Sequence, residues 1–209
     1  MTSGRSCSKN SIATALALAA LIVVFGPVSG ARFNPVVTLA DWWLHRRDAR
    51  WRVHEVGGYV AAQTIGAVGG AVLANLMFAL PPVTWSSTDR STPHLWLGEL
   101  VATAGLILLI FALVHTDRTT LAPAAVGAYI GAAYWFSSST AFANPAVTIA
   151  RSFTDTFTGI GPTATLGFIG AQLAGAIVGL AALAVVYPSP VVAPAAPEHV
   201  DLVEAGDLP

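Results

Sequence analysis

Charged residues divide the 209-residue chain into long neutral runs, and the lengths of these runs give the first structural prediction. The hydrocarbon core of a bilayer is about 30 Å thick, which roughly 20 apolar helical residues cross. Four runs reach this length, and a fifth reaches it if its helix begins a few residues ahead of Glu99. The pattern predicts an all-α membrane protein with five spanning helices, at about residues 11–27, 56–80, 94–115, 121–139 and 164–187.

Two apolar stretches are interrupted by the same polar dipeptide, which indicates an internal repeat. The interruptions are Asn34-Pro35-Val36, within "SGARFNPVVTLA", and Asn144-Pro145-Ala146, within "TAFANPAVTIAR". A second pair, Gln63 and Gln172, keeps nearly the same offset, and Gly-Ala follows each glutamine three residues later. Repeated halves with interrupted segments in matching places are typical of inverted-repeat membrane transport folds, whose solute path lies between the repeats at the midplane.

Each Asn-Pro pair predicts the start of a short re-entrant helix, from about Pro35 to Leu44 and from Pro145 to Phe153, rather than a kink in a continuous helix. The positive ends of both half-helices would repel cations at the midplane, and the asparagine amides would offer donors to a neutral solute. Irregular backbone at membrane depth occurs only where it is buried or faces water. The loop backbone predicted to line this path comprises Gly30, Ala31, Arg32, Thr140, Phe142 and Ala143.

Composition excludes several other classes of function. The chain is 55% hydrophobic and only 10% charged, with a mean hydropathy of +0.67, whereas soluble proteins are about 25% charged. A net charge of −1 provides no basic surface for nucleic acid. Cys7 is the only cysteine and the five histidines show no ligand spacing, so we expect no metal site and no cofactor. No nucleophilic triad or carboxylate pair appears, and we do not expect an enzyme.

The distribution of arginine predicts the orientation in the membrane. Four arginines lie between residues 46 and 52 and Arg118 follows two crossings later, whereas the opposite loop holds only Arg90. By the positive-inside rule the Arg46 side is cytoplasmic. The chain would then comprise an extracytoplasmic segment 1–10, a channel domain 11–187 and a disordered cytoplasmic tail 188–209, rich in Pro and Ala with acidic charges.

The N-terminal apolar run has a second interpretation. Arg5 and Lys9 precede it and small residues lie near 29–31, which is also the pattern of a cleaved signal peptide. Cleavage there would remove a helix that the internal repeat requires. We therefore expect the run to remain as a spanning helix.

The paired motifs resemble the doubled Asn-Pro-Ala signature of the aquaporin, or major intrinsic protein, family. "GELVAT" (98–103) and the two Gln-x-x-Gly-Ala helices resemble the family's other helix motifs, and the resemblance covers about residues 11–187. It implies a homotetramer in the bacterial inner membrane, in which each subunit passes water or small uncharged solutes passively. It also implies that Glu99 accepts hydrogen bonds from the second re-entrant loop; proton transfer is the alternative role.

The chain departs from this family pattern at its N-terminus. A helix containing Glu99 precedes Asn144 by 45 residues, whereas the matching position before Asn34 falls ahead of residue 1. The family has six spans and this chain supplies five, so we expect the first helix to be missing. An incorrectly chosen start codon is the first explanation, and a gene fragment is the second.

The second departure concerns the constriction of the pore. By resemblance, four positions set its width: Thr14, Ala132, Ala141 and Val147. The last is usually arginine, which would present fixed donors and a permanent charge. Valine does neither, and the neighbours of Ala132 are equally small. The four residues predict a wide, mostly apolar gap that passes neutral solutes larger than water.

A narrower resemblance concerns the solute. The run 127–162 is similar to the bacterial aquaporins associated with arsenic resistance, which also carry valine in place of the filter arginine. The expected function is therefore passive conduction of metalloid hydroxides such as arsenous acid, of glycerol-like polyols, or of both, with water. The alternative is a non-conducting aquaporin remnant that lacks the first helix.

Two further sets of residues have structural interpretations. Arg32 either reaches into the inner vestibule or snorkels to the membrane interface. A set of helical glycines is predicted to allow close helix crossing: Gly66, Gly69, Gly70, Gly175 and Gly179.

Overall fold

The computed structural model describes residues 2–47 and 52–188, which form seven α-helices and two short 3₁₀ helices. The α-helices are α1 (Thr2–Ser29), α2 (Pro35–His45), α3 (Val53–Met77), α4 (Pro93–His115), α5 (Ala122–Phe136), α6 (Pro145–Ala150) and α7 (Pro162–Val186). The 3₁₀ helices are Thr119–Leu121 and Arg151–Phe153. The predicted tail lies outside the described residues from position 189 onward.

Four helices, α1, α3, α4 and α7, are long and apolar enough to cross a membrane. They confirm the prediction of an all-α membrane protein, and α3, α4 and α7 begin within three residues of the predicted positions. The first helix differs, because α1 already begins at Thr2. The predicted N-terminal segment is therefore, from Thr2 onward, part of α1.

The fifth predicted span, 121–139, is shorter in the structure. It consists of the 3₁₀ helix Thr119–Leu121 followed by α5, whose 15 residues extend over about 22 Å. The helix ends at Phe136, and the next residue, Ser137, is extended and donates its hydroxyl to the carbonyl of Ala133 at 2.7 Å. The sequence suggested a longer helix because the serines that leave it are uncharged and belong to the same neutral run.

The long helices pack in pairs, α4 against α7 and α1 against α5, and the half-helices α2 and α6 lie against α3 and α7. Glycines allow the pairs to approach closely. A Cβ atom on Gly179 would lie 2.5 Å from the carbonyl oxygen of Ala104, and one on Gly127 would lie 2.7 Å from that of Ala15. Side chains at these positions would push the helix axes apart.

The predicted role of the glycine set holds for one helix and is wrong for the other within the described chain. Gly175 and Gly179 of α7 contact α4 as expected. A Cβ atom on Gly66, Gly69 or Gly70 of α3 would meet nothing within 4 Å. The physical reason is that no described helix packs on this face of α3, whose only buried residues are Val56 and Asn75.

Buried apolar clusters fix the half-helices against the long helices. Ala102 and Leu106 of α4 pack with Val126 and Ile130 of α5 and with Ala143, just before the second motif. A second cluster joins α2 to α4 and α7. The two asparagine motifs are therefore held by packed side chains on both sides of the molecule.

Candidate functional site

Both half-helices begin at the prolines of the two motifs. The Asn34 side-chain oxygen accepts the N–H of Val36 at 3.1 Å, and the Asn144 oxygen accepts that of Ala146 at 3.0 Å. Each asparagine is extended and caps its helix, and proline in the first turn lacks only an N–H that has no helical partner. The local sequence alone therefore determines where α2 and α6 start.

The amide nitrogens of the two asparagines cross-link the repeats. Nδ2 of Asn34 donates to the carbonyl of Ala143 at 2.7 Å, and Nδ2 of Asn144 donates to that of Phe33 at 3.0 Å. An asparagine amide has two donor hydrogens, so each keeps one hydrogen beyond this bond. The two motifs therefore meet head to head, each capped and each fixed by the loop of the other.

Repeat-related residues shape the two loops before the motifs. Gly30 and Ala31 have φ angles of 68° and 50°, and Thr140 and Ala141 have φ angles of 65° and 45°. Left-handed backbone costs a β-branched residue such as threonine roughly 1–3 kcal/mol, so surrounding contacts must hold it. Both loops thus leave helical geometry at the same position of the repeat, as expected for re-entrant backbone.

A second repeat-related contact ties each half-helix to a long helix. The Gln63 amide donates to the Thr38 hydroxyl at 2.8 Å, and the Gln172 amide donates to the Thr148 hydroxyl at 2.8 Å. Each threonine hydroxyl donates in turn to the backbone carbonyl of its asparagine. The glutamine pair seen in the sequence therefore orients the two motifs.

Glu99 is fully buried and has the partners of a loop-orienting residue. Its two carboxylate oxygens accept the backbone N–H groups of Phe142 and Ala143, both at 2.8 Å. The Gln172 amide donates to the same carboxylate at 2.6 Å. Three donors satisfy the buried charge and hold the second re-entrant loop in place.

Arg32 lies beside α2, in the loop that precedes the first motif. Its guanidinium is 2.5 Å from the carboxylate of Asp41, and that carboxylate lies 3.0 Å from the ring of His45. The guanidinium also lies 5.7 Å from the ring centroid of Tyr59. Arg32 and Tyr59 both line the central cavity.

A central cavity of about 720 Å³ passes both asparagines and extends from the Gly30 loop to the far end of α6. Much of the predicted site lies in its wall. The predicted residues that line it are Thr14, Gly30, Ala31, Arg32, Asn34, Ala141, Phe142, Asn144 and Val147.

Other predicted residues lie away from this cavity. Ala132 is on an exposed face of α5, and Tyr134, two residues further, lines the wall instead. Thr140 and Ala143 belong to the loop backbone but not to the cavity lining. Four motif residues are buried in the packing at the helix starts: Pro35, Val36, Pro145 and Ala146.

Arg151 is a charged cavity-lining residue that the sequence patterns did not single out. It follows Val147 by four positions, one helical turn, and both side chains line the central cavity. That spacing is the signal that could have identified it, since residues i and i+4 share one face of a helix. We call the part of the cavity wall at Thr14, Ala141 and Val147 the throat. It also contains Tyr134 and Arg151.

A second cavity of about 720 Å³, the mouth cavity, adjoins the central cavity on the Arg90 side and shares Ala67, Val147 and Arg151 with it. Loops near this mouth are joined by Arg90, which is buried and donates to the carbonyls of Ser139, Phe157 and Gly159. Burial lowers the pKa of Arg90, and the neighbouring positive charge of Arg151 lowers it further.

Asp155 also joins two loops beside the mouth cavity, the loop that contains Ser86 and Ser87 and the loop that follows α6; we call these the mouth loops. Its carboxylate accepts the backbone N–H of Ser87 at 3.1 Å and the hydroxyls of Ser86 and Ser87. These hydrogen bonds, first that from the Ser87 backbone, lower the pKa of Asp155. Within the described ranges, no group of three His, Cys, Asp or Glu residues is arranged to hold a metal ion.

Several known proteins have sequences similar to this chain. Residues 2–140 match the sequence model described as Major intrinsic protein. The chain is 48% identical over 175 residues to aquaglyceroporin AqpS of Rhizobium meliloti (strain 1021). The alignment covers 82% of this chain and 72% of that protein. It is 29% identical to aquaporin-4 of Bos taurus over 80% of this chain and 54% of that protein.

A further relative is the glycerol uptake facilitator protein of Bacillus subtilis (strain 168), 38% identical over 47% of this chain and 38% of that protein. The chain thus spans about half the length of aquaporin-4 and less of the glycerol facilitator. The family match extends over more than half of the chain, and the relative AqpS matches over most of its length. This multi-pass membrane protein belongs to the major intrinsic protein, or aquaporin, family.

Proposed function

We propose that this chain forms a passive channel for small uncharged solutes, with water among them. The observation that carries the proposal is the position of Asn34 and Asn144, whose amides face each other beside one cavity that passes both motifs. Each amide keeps a donor hydrogen for a solute oxygen. The family is one of channels, which agrees with the expectation that the chain is not an enzyme.

The wall of the cavity favours neutral solutes larger than water. Ala141 and Val147 line the throat with apolar side chains, and Thr14 contributes one hydroxyl. A solute with several hydroxyl groups meets hydrogen-bond donors at both motifs. The apolar wall between the motifs and the throat offers few other polar groups that would bind it. We propose glycerol-like polyols, trihydroxy metalloids such as arsenous acid, or both. Two relatives, an aquaglyceroporin and a glycerol uptake facilitator, support the polyol class by their names.

We further propose the bacterial inner membrane as the location, with the Arg46 side in the cytoplasm. Five crossings follow in this proposal, by the long helices α1, α3, α4 and α7 and by the shorter α5 with its preceding 3₁₀ turn, and the Rhizobium relative supports a bacterial membrane. The C-terminus would then be cytoplasmic. A homotetramer with one pore in each subunit is the assembly that the family resemblance implies, and the exposed apolar faces of α1 and α3 would lie against lipid or a neighbouring subunit.

One observation favours the alternative function, a non-conducting protein. The glycines of α3 that correspond to the packed glycines of α7 face no helix in the described chain. Gly66 and Gly70 lie 109 positions before Gly175 and Gly179. A wall that stays open beside α3 would let lipid, rather than solute, fill the path.

Solute uptake into proteoliposomes distinguishes the two functions. We expect the chain, alone and with an upstream helix supplied, to pass water, glycerol and arsenite faster than empty vesicles. Val147→Arg is expected to reduce arsenite and glycerol uptake about tenfold, since a guanidinium would fill the apolar part of the throat. Uptake only by the extended protein would support the alternative for this chain, and unchanged uptake in Val147→Arg would refute the throat assignment.

A further inference from the structure

Arg151 places a guanidinium in the channel wall one helical turn from Val147. α6 ends at Ala150 and continues as the 3₁₀ turn Arg151–Phe153, so residue 151 follows Val147 by about 6 Å along the axis. Val147 and Arg151 both line the central cavity and the mouth cavity. The Arg151 carbonyl accepts the N–H of Ile160 at 3.3 Å, which holds the turn.

Tyr134 links Arg151 to the opposite side of the throat. Its hydroxyl lies 3.4 Å from Nη2 of Arg151 and 3.2 Å from the hydroxyl of Thr14. Tyr134 is buried on α5 and Thr14 is on α1, so three different elements contribute to one polar chain. These three polar residues line the central cavity together with the apolar side chains of Ala141 and Val147.

Arg151 and the nearby Arg90 differ in the number of hydrogen bonds that their guanidinium groups make. Arg90 gives its donors to three backbone carbonyls, whereas Arg151 makes one side-chain hydrogen bond, to Tyr134, among the residues described. The two guanidinium carbons lie 5.2 and 5.4 Å from the ring centroid of Phe142. No carboxylate pairs with Arg151 in the described ranges, so its charge is not cancelled locally.

We propose that Arg151, held by Tyr134 as its positioning residue, is the specificity-determining cation of this channel. A guanidinium has five N–H donors, and those not bound to Tyr134 are available to the hydroxyl oxygens of a passing solute. Its permanent charge opposes the entry of cations. This inference rests on the proposed channel function and names the residue that sets its selectivity.

The displaced position of the charge has a consequence for the solute class. The apolar side chain of Val147 and the charged side chain of Arg151 occupy successive positions along the path, whereas in the usual family pattern the charge lies at the position of Val147 itself. A neutral polyhydroxy solute that enters from the mouth cavity therefore meets the donors of Arg151 first and then the apolar side chain of Val147. A methylammonium ion, which is small enough to enter where a polyol does, meets an unfavourable field at Arg151, where the surrounding protein screens charge weakly.

The test varies the charge at residue 151 in one protein sample. Cys7 is the only cysteine, so Cys7→Ser provides a thiol-free background in which Arg151→Cys is the only reactive site. Proteoliposome uptake of glycerol and of methylammonium is measured before and after labelling with a cationic or an anionic methanethiosulfonate reagent. The control is Cys7→Ser with Arg118→Cys, because Arg118 is exposed in a loop beyond the other end of α4.

We expect Arg151→Cys to raise the ratio of methylammonium to glycerol uptake about tenfold, since one charge over the path is lost. The cationic reagent should restore the original ratio and the anionic reagent should raise it further. Arg151→Lys should retain the original ratio, and the Arg118→Cys control should respond to neither reagent. An unchanged ratio in Arg151→Cys, or equal effects of the two reagents, overturns the inference while the channel function stands.

Failure of the channel function has a different signature. If the Cys7→Ser protein passes neither glycerol nor arsenite, the proposed function is wrong and this inference is wrong with it. If Arg151→Cys does not reach the membrane, the same uptake ratio is measured for Tyr134→Phe. This variant removes only the hydroxyl that positions the guanidinium. A several-fold rise in the methylammonium ratio then supports the inference, and an unchanged ratio overturns it.

Discussion

The carboxylate of Glu99 lies 2.6 Å from the amide nitrogen of Gln172, and no acidic side chain of the described residues is hydrogen-bonded in this way to Gln63, its counterpart in the first half. Both glutamines bind a threonine on their half-helix at 2.8 Å. The repeats are therefore symmetric at the threonines and asymmetric at the carboxylate. The second re-entrant loop is held by a buried charge that the first loop does not share.

This asymmetry predicts a large effect of Glu99→Gln. The substitution turns one acceptor oxygen into a donor that faces the N–H of Phe142 or Ala143. An unsatisfied buried donor costs about 1–3 kcal/mol, so we expect the thermal unfolding midpoint in detergent to fall clearly. Glu55→Gln is the control, because Glu55 is exposed and binds only its own helix start. Equal midpoints for both variants would contradict the orienting role of Glu99.

The cross-link between the motifs predicts a graded response at Asn34. Asn34→Ser retains a good helix cap but is too short to reach the carbonyl of Ala143, now bound at 2.7 Å. We expect a loss of about 1 kcal/mol for the buried hydrogen bond. Asn34→Ala also loses the cap, for roughly 1 kcal/mol more. Denaturant unfolding in micelles measures both, and a serine variant as stable as the native protein would show that the cross-link contributes nothing.

Local chemistry explains why much of the fold could be predicted from the sequence. An asparagine cap followed by proline determines the starts of α2 and α6 without help from distant residues. The long neutral runs likewise determine α3, α4 and α7 to within a few residues. The end of α5 could not be predicted in this way, because Ser137 leaves the helix to enter a loop that contacts other helices rather than because of a local breaker.

The throat was harder to predict because it depends on how helices are rotated. Counting from the asparagines selected Ala132, which the structure places on an exposed face, whereas Tyr134 reaches the cavity. The same counting ended at Val147 and overlooked Arg151. Tyr134 lies two positions beyond Ala132, and Arg151 lies one helical turn beyond Val147. An error of two to four positions therefore replaces polar side chains in the cavity wall by small apolar ones.

The mouth loops should respond to acid through Asp155. Hydrogen bonds from Ser87 and Ser86 lower its pKa below the ordinary value of 3.8, so this tie contributes to stability above pH 3.8 and is lost as the pH falls through the lowered value. Titration of the Ser87 amide shift by NMR in micelles should show a midpoint below 3.8. Asp155→Asn should remove the transition, and a midpoint at or above the ordinary value would contradict the tie.

The glycines of the two repeats provide a matched pair of variants. Gly179→Leu places a side chain where a Cβ atom alone would lie 2.5 Å from the Ala104 carbonyl, so α7 must move away from α4. We expect a loss of about 1–3 kcal/mol or failure to fold. Gly70→Leu, 109 positions earlier, meets nothing within 4 Å of the added Cβ atom and should leave the unfolding midpoint in micelles nearly unchanged.

The same pair can be compared in lipid bilayers, where the proposed homotetramer would bring a second subunit against α3. If α3 faces only lipid there, Gly70→Leu remains neutral, because a leucine side chain is as apolar as the surrounding acyl chains. If another helix packs on α3 as α4 packs on α7, Gly70→Leu becomes as destabilising as Gly179→Leu and shifts the oligomeric state. Unfolding and crosslinking of both variants in vesicles therefore establish whether this glycine face is a lipid surface or a helix-packing surface.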